Sequence, residues 1–240
     1  MIVKTIGSGS SGNGYALISG GDILLLECGV PAKEMLKAID YQTSRVVGCI
    51  ASHVHSDYVG FIKQYMQYGI KVYTSDEVQS NIETIMGEKT IGLQRMKRKN
   101  LIGCFSVIPF HVPHGETECD GWLIDTAEGR VLFITDAEYC PYDFSKMNIN
   151  YGLIECNYSE DYLSADDSGS KNHHVLTGHL ELQTCKRLIQ SINNNRLRSI
   201  GLIHLSSGNG NPQRFRSEIS ELVDSDVDIW IADKGTEKEF

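Results

Sequence analysis

His53, His55 and Asp57, three metal-competent side chains within five positions, stand in Ser52-His53-Val54-His55-Ser56-Asp57-Tyr58. The segment lies between a strand-like run and a helix-like one, in a loop free to turn its donors towards one point. Imidazole and carboxylate together suit zinc, and also manganese or iron. Two histidines on one face of an extended surface segment would have the same spacing, so the remainder of the chain has to decide. His114 follows a strand-like run in Phe110-His111-Val112-Pro113-His114. Asp136 ends the apolar run Val131-Leu132-Phe133-Ile134-Thr135, and His204 ends Ile200-Gly201-Leu202-Ile203. Taken singly, each would pass for a cap or a satisfied core residue. Their shared place at the C-terminal ends of strands, where loops of one sheet edge gather, favours a metal site.

The elements that must position these residues read as glycine-punctuated strands over 3–6, 15–19, 22–27 and 46–51, then 71–73, 102–110, 121–125, 130–135, 151–155, 199–204 and 227–232. Helical spacing is expected over 32–40 after Pro31, over 58–68, over 75–86 behind the capping-type Ser75-Asp76-Glu77, over 181–192 and over 214–222. The polar stretch 158–172 reads as a surface loop. Strand-rich halves, each finished by helices, predict two sheets face to face with helices outside, in one α/β domain over 1–240.

Composition narrows the function classes. With 31 acidic against 22 basic residues the net charge is −9, which excludes a basic nucleic-acid coat protein. No apolar run approaches the roughly 20 residues of a membrane-spanning helix. Seven cysteines without a CxxC pair suit a reducing compartment, so a cytoplasmic protein with no membrane partner is expected.

The order His53, His55, Asp57, Tyr58, then His114, Asp136 and His204, resembles the HxHxDH motif and distant ligands of the metallo-β-lactamase fold superfamily of hydrolases. Gly7-Ser8-Gly9-Ser10-Ser11-Gly12-Asn13 and His204-Leu205-Ser206-Ser207-Gly208-Asn209-Gly210-Asn211-Pro212 are similar to its bacterial and phage branch of phosphodiesterases and exonuclease-like enzymes. The resemblance implies a four-layer αββα sandwich holding one or two divalent metal ions, zinc first, with manganese or iron as alternatives. It implies that His53, His55 and His114 hold one metal, that Asp136 bridges, and that Asp57 and His204 serve the second. A metal-bound hydroxide would be the nucleophile, because coordination lowers the pKa of water from 15.7 towards roughly 7.

Three positions depart from the pattern. Tyr58 replaces the last histidine of the motif, and neutral phenol is a poor ligand. Glu27 stands where an aspartate usually supports the ligands, and Asn157-Tyr158 stands where Asn-His is common. His179, in a loop before a helix, matches a proton donor of some phosphodiesterases of this type. His111 reads as structural or as a support behind the ligands, and His173 and His174 as solvated loop residues or lid contacts. Ser8, Ser10, Asn157, Ser206, Asn209 and Asn211 are the residues expected to line the substrate.

The one basic run, Arg95, Lys97, Arg98 and Lys99, reads as a solvated face and is too small to hold a long polyanion. A small phosphodiester, a cyclic nucleotide or a single-stranded nucleic-acid end is therefore the expected substrate. The alternatives are a thioester or lactone hydrolase of the same fold, since fold does not fix substrate, and a catalytically weakened nucleotide-binding module. No appended substrate-binding domain is expected from the sequence, and this leaves room for a homodimer as partner.

Overall fold

Short, largely buried apolar runs separated by glycine-containing turns make residues 2–26 a strand meander. In a computed structural model that describes residues 1–163 and 176–240, β1 (Ile2–Gly7), β2 (Gly14–Ser19) and β3 (Asp22–Leu26) pair antiparallel, with Val3 opposite Leu17 and Leu17 opposite Leu24. His173, His174 and residues 164–172 of the expected loop lie outside the described residues. The chain forms two compact units. One comprises Met1–His111, Glu118–Glu128 and Asp233–Phe240, the other Val112–Thr117 and Gly129–Ala232.

In the first unit the direction changes after α1 (Ala32–Ala38), so that β4 (Val46–Ile50) runs parallel to β3, with Leu25 opposite Cys49. This brings the ends of β3 and β4 to one edge. The chain then passes through α2 (Ser56–Val59) and α3 (Ile62–Gln67) to β5 (Val72–Ser75), α4 (Asp76–Met86) and β6 (Ile91–Leu93), both strands again parallel to their neighbours. Ser75 caps α4 by accepting the Val78 N–H at 3.2 Å. Ile23, Leu25, Cys49, Met35, Leu36, Tyr58, Ile62, Tyr65, Val78 and Ile82 form the buried core between this sheet and its helices.

The helix expected over 58–68 is broken, because both groups that would continue it have other partners. Asp57 carbonyl accepts the Asn13 N–H at 2.7 Å, and the Phe61 N–H donates to Cys28 carbonyl at 3.0 Å. These are the i and i+4 groups of one helical turn. The strand expected over 102–110 is also displaced. The short β7 (Lys99–Asn100) pairs antiparallel with β8 (Ser106–Val112), and residues 101–105 form their turn. Gly103 takes φ +81° there, while Asp22 carboxylate accepts the Cys104 N–H. β9 (Cys119–Asp125) follows.

The second unit carries four parallel strands: β10 (Arg130–Ile134), β11 (Tyr151–Glu155), β12 (Ser199–Ile203) and β13 (Asp228–Ile231). Two amphipathic helices connect them, α5 (Leu182–Ile192), capped by Glu181, and α6 (Pro212–Ser220), capped by Asn211. Parallel pairing places all four C-terminal strand ends on one edge. The chain returns to the first unit as β14 (Glu237–Glu239), a strand not expected from the sequence, antiparallel to β1. Among the described residues, no helix is long and apolar enough to cross a membrane.

Candidate metal centre

In the first unit, Glu27 leaves β3 with a left-handed backbone, φ +65°, which turns its buried carboxylate across the end of β4. Both of its oxygens lie 3.2 Å from the Ser52 N–H. Ser52 Oγ in turn lies 2.9 Å from His53 Nδ1, and His53 Nε2 lies 3.1 Å from His55 Nδ1. Two imidazole nitrogens that close require a proton or a cation between them. Tyr58 is fully buried, with its ring centroid 4.3 Å from that of His53. The half-buried Asp57, at the start of α2, is bonded to Asn13, whose Nδ2 lies 3.2 Å from Asp57 Oδ2.

In the second unit the strand ends bring four groups together. Single donor atoms of Asp136, Glu155, His179 and His204 all lie within 4.8 Å of one another. Asp136 Oδ1 is 2.5 Å from His204 Nδ1 and 3.5 Å from His179 Nδ1. Glu155, fully buried at the end of β11, uses both oxygens: Oε1 lies 2.8 Å from His179 Nδ1 and 3.1 Å from His204 Nδ1, and Oε2 accepts the Ala137 and Leu180 N–H groups. His204, directly after β12, takes φ +50°. His114 Nδ1 lies 2.6 Å from Gly178 carbonyl, so Nδ1 carries the proton and Nε2 keeps its lone pair, 3.8 Å from Asp136 Oδ2.

The electrostatics of this set favour positive charge. Burial opposes protonation of His204 and His179, but Asp136 and Glu155 outweigh it, holding His204 well above the ordinary imidazole range and His179 up at about 10. Burial likewise opposes the charge on Asp136, yet the two imidazoles keep it well below the usual carboxylate range. His114, where burial dominates, is shifted down towards its neutral form. A neutral imidazole with a fixed tautomer, His114, beside buried carboxylates that demand a cation, is the donor chemistry of a divalent transition metal. The residues present therefore fit such an ion.

The expected substrate residues have their own local partners. Ser8 Oγ accepts the Tyr15 hydroxyl at 2.9 Å, while Ser10 is exposed. Asn157 Nδ2 donates to His204 carbonyl at 2.8 Å and so braces that residue. Ser206 Oγ accepts the Asn209 N–H, Asn209 carbonyl accepts the Ser159 N–H, and Asn211 Oδ1 accepts the Arg214 N–H as the cap of α6. His111 Nδ1 lies 3.8 Å from Glu118. The basic run is partly neutralised: Arg95 pairs with Asp120 at 2.7 Å and Glu118 at 2.8 Å, and Arg98 with Asp125.

Glu155 was not among the residues nominated from the sequence. Its signal was the same as that of Asp136 and His204, a polar residue closing an apolar strand. A cavity of about 1060 Å³ in the second unit is walled by the segments that follow these donors, among them Glu138, Tyr139 and Tyr142 after Asp136, Tyr158 after Glu155, and Glu181 after His179.

No protein-family model and no curated protein matches the sequence. Solved structures do match. YhfI from Bacillus subtilis, described as a metallo-β-lactamase fold protein, is 21% identical with a TM-score of 0.76, over 100% of this chain and 99% of that one. Zinc-bound PqqB from Methylobacterium extorquens is 13% identical with a TM-score of 0.73, over the whole of both chains. The short form of human tRNase Z is 14% identical with a TM-score of 0.67, over 100% and 99%. The chain has the metallo-β-lactamase fold, the α/β sandwich expected from its sequence.

Proposed function

We propose that this protein is a metal-dependent hydrolase that cleaves a small phosphodiester, a cyclic nucleotide or a nucleic-acid end. The observation that carries the proposal is the convergence of Asp136, Glu155 and His204, buried at parallel strand ends, with the loop residue His179. In this reading His53, His55 and His114 would hold one metal ion, and Asp136, Asp57 and His204 would be the further ligands. Bound metal would supply a hydroxide at neutral pH and neutralise charge on a phosphoryl oxygen. His179 holds the proton destined for the leaving oxygen, and Glu155 keeps that imidazole charged and oriented. Glu27 anchors the Ser52 N–H, and Ser52 Oγ orients the His53 ring.

The cavity supports a small substrate over a long one. Its volume suits a nucleotide-sized ligand, and the partly exposed Tyr139 and Tyr142 are among its lining. Its described lining holds five carboxylates, Glu138, Asp143, Glu160, Asp161 and Glu181, against the single Arg187. That balance repels a polyanion. It also favours a second reading, hydrolysis of an uncharged thioester or lactone.

The test is a substrate panel: bis(p-nitrophenyl) phosphate, cyclic mononucleotides, single-stranded DNA, a glutathione thioester and an acyl lactone, each with zinc and with manganese. Turnover of a phosphodiester, lost on chelation and in His55→Ala, is expected. Turnover of the thioester or lactone alone would replace the first reading with the second. Purified protein without transition metal, and unaltered by His55→Ala, would remove both.

A further inference from the structure

We propose that Asn13 is the positioning residue of Asp57, so that the glycine-serine turn over 7–14 sets the affinity of the metal subsite served by that carboxylate. The inference rests on the reading above for the role of Asp57. Its evidence is a separate set of contacts.

Asn13 is fully buried, and each of its polar groups has a partner. Its backbone N–H donates to Asp57 carbonyl at 2.7 Å, and its own carbonyl accepts the Gly29 N–H at 2.9 Å. Side-chain Oδ1 accepts the Gly9 N–H at 2.8 Å. Side-chain Nδ2 donates to Gly9 carbonyl at 3.1 Å, to Asp57 carbonyl at 3.3 Å and to Asp57 Oδ2 at 3.2 Å. These partners fix the amide orientation, because a flipped amide would set N–H against the Gly9 N–H and oxygen against two carbonyls and a carboxylate. The side chain therefore presents a donor, and only a donor, to Asp57.

The backbone around this contact leaves no slack. A Cβ on Gly29 would lie 1.7 Å from Asp57 carbonyl oxygen and 2.7 Å from the Asn13 nitrogen, and one on Gly12 would lie 2.3 Å from Gly29 carbonyl oxygen. Three chain segments meet main chain to main chain, so positions 12 and 29 admit no side chain. The Nδ2 bond to Oδ2 fixes the orientation of the Asp57 carboxylate. A carboxylate held in one orientation binds a metal more tightly than one that must be ordered on binding, and losing such support commonly weakens affinity 10–100-fold.

The experiment titrates chelator-stripped full-length protein with Zn²⁺, and separately with Mn²⁺, by calorimetry, alongside Asn13→Ala, Asn13→Asp, Asp57→Ala and the double variant Asn13→Ala/Asp57→Ala. Melting of the metal-free proteins verifies folding. Asn13→Ala is expected to weaken the weaker binding step roughly 10–100-fold, and to have no further effect once Asp57 is alanine. Asn13→Asp keeps the size and the acceptor for the Gly9 N–H but turns a donor into a second negative charge. Charge alone would tighten metal binding, whereas displacement of Asp57 weakens it, and weaker binding is expected. Unchanged affinity in Asn13→Ala, tighter binding in Asn13→Asp, or additive losses in the double variant would overturn the inference. Wild-type protein that takes up no metal would instead overturn the hydrolase reading.

Discussion

Glu155 Oε1 and His179 Nδ1 lie 2.8 Å apart, between the end of a β-strand and a loop residue 24 positions later. The other oxygen of the same carboxylate accepts two backbone N–H groups, so the strand end, the imidazole and both neighbouring loops share one anion.

Replacing that anion tests its role. In Glu155→Gln the shape persists but the charge that stabilises the two imidazolium rings is gone. In metal-free protein the His179 titration, at about 10 in the wild type, is expected to fall towards the ordinary imidazole value near 6.5. Proton NMR of the ring reads this directly. Metal affinity by chelator competition is expected to fall about 10–100-fold. An unmoved titration would show that Asp136 alone sustains the charge.

Arg95 and Asp120 predict a pH-dependent stability. Burial pushes Asp120 up to about 6, against the opposing pull of Arg95 and a hydrogen bond with Ser75. With its folded pKa above the unfolded one, Asp120 favours folding at low pH and loses that contribution as pH rises from about 4 to 6. Arg95→Leu removes the counter-charge and raises that pKa further, so its penalty grows with pH. About 3 kcal/mol is expected at pH 8 and less at pH 5 by urea unfolding, and a penalty independent of pH would refute the pairing.

Gly29→Ala probes the backbone junction beside Asp57. The methyl group would meet a carbonyl oxygen at 1.7 Å, which no side-chain rotation relieves. A loss of about 3 kcal/mol or more is expected in denaturant unfolding. A loss below 1 kcal/mol would mean that the turn yields freely.

Tyr58→His places a third imidazole beside His53 and His55 at the expense of packing. Tyr58 is fully buried in the core of the first unit beneath His53, so a stability loss of about 2 kcal/mol is expected. Metal content by elemental analysis is expected to rise towards two equivalents, and an unchanged content would show that the phenol does not limit the second subsite.

Much of the fold was legible because strands and helices write local periodicities. The parallel strands of the second unit fall within a residue or so of their expected limits, since each is a short apolar run between polar or glycine-rich turns. The errors lie where a distant group competes for a local one. The helix over 58–68 breaks because the Asn13 N–H takes the carbonyl that Phe61 would have used, and the strand over 102–110 shifts because Asp22 fixes the turn at Cys104.

The order of residues alone supplies the chemistry on offer: imidazoles and carboxylates closing apolar strands, in an acidic chain. A polar residue at a strand end is a local signal, visible without contacts. Tertiary structure alone decided how those groups are held. Glu155 became the shared anion of His179 and His204 because parallel pairing aligned three strand ends, and Asn13 reached Asp57 across 44 residues because glycines let their main chains touch. Such bonds depend on distances between segments, which periodicity and spacing along one chain do not encode.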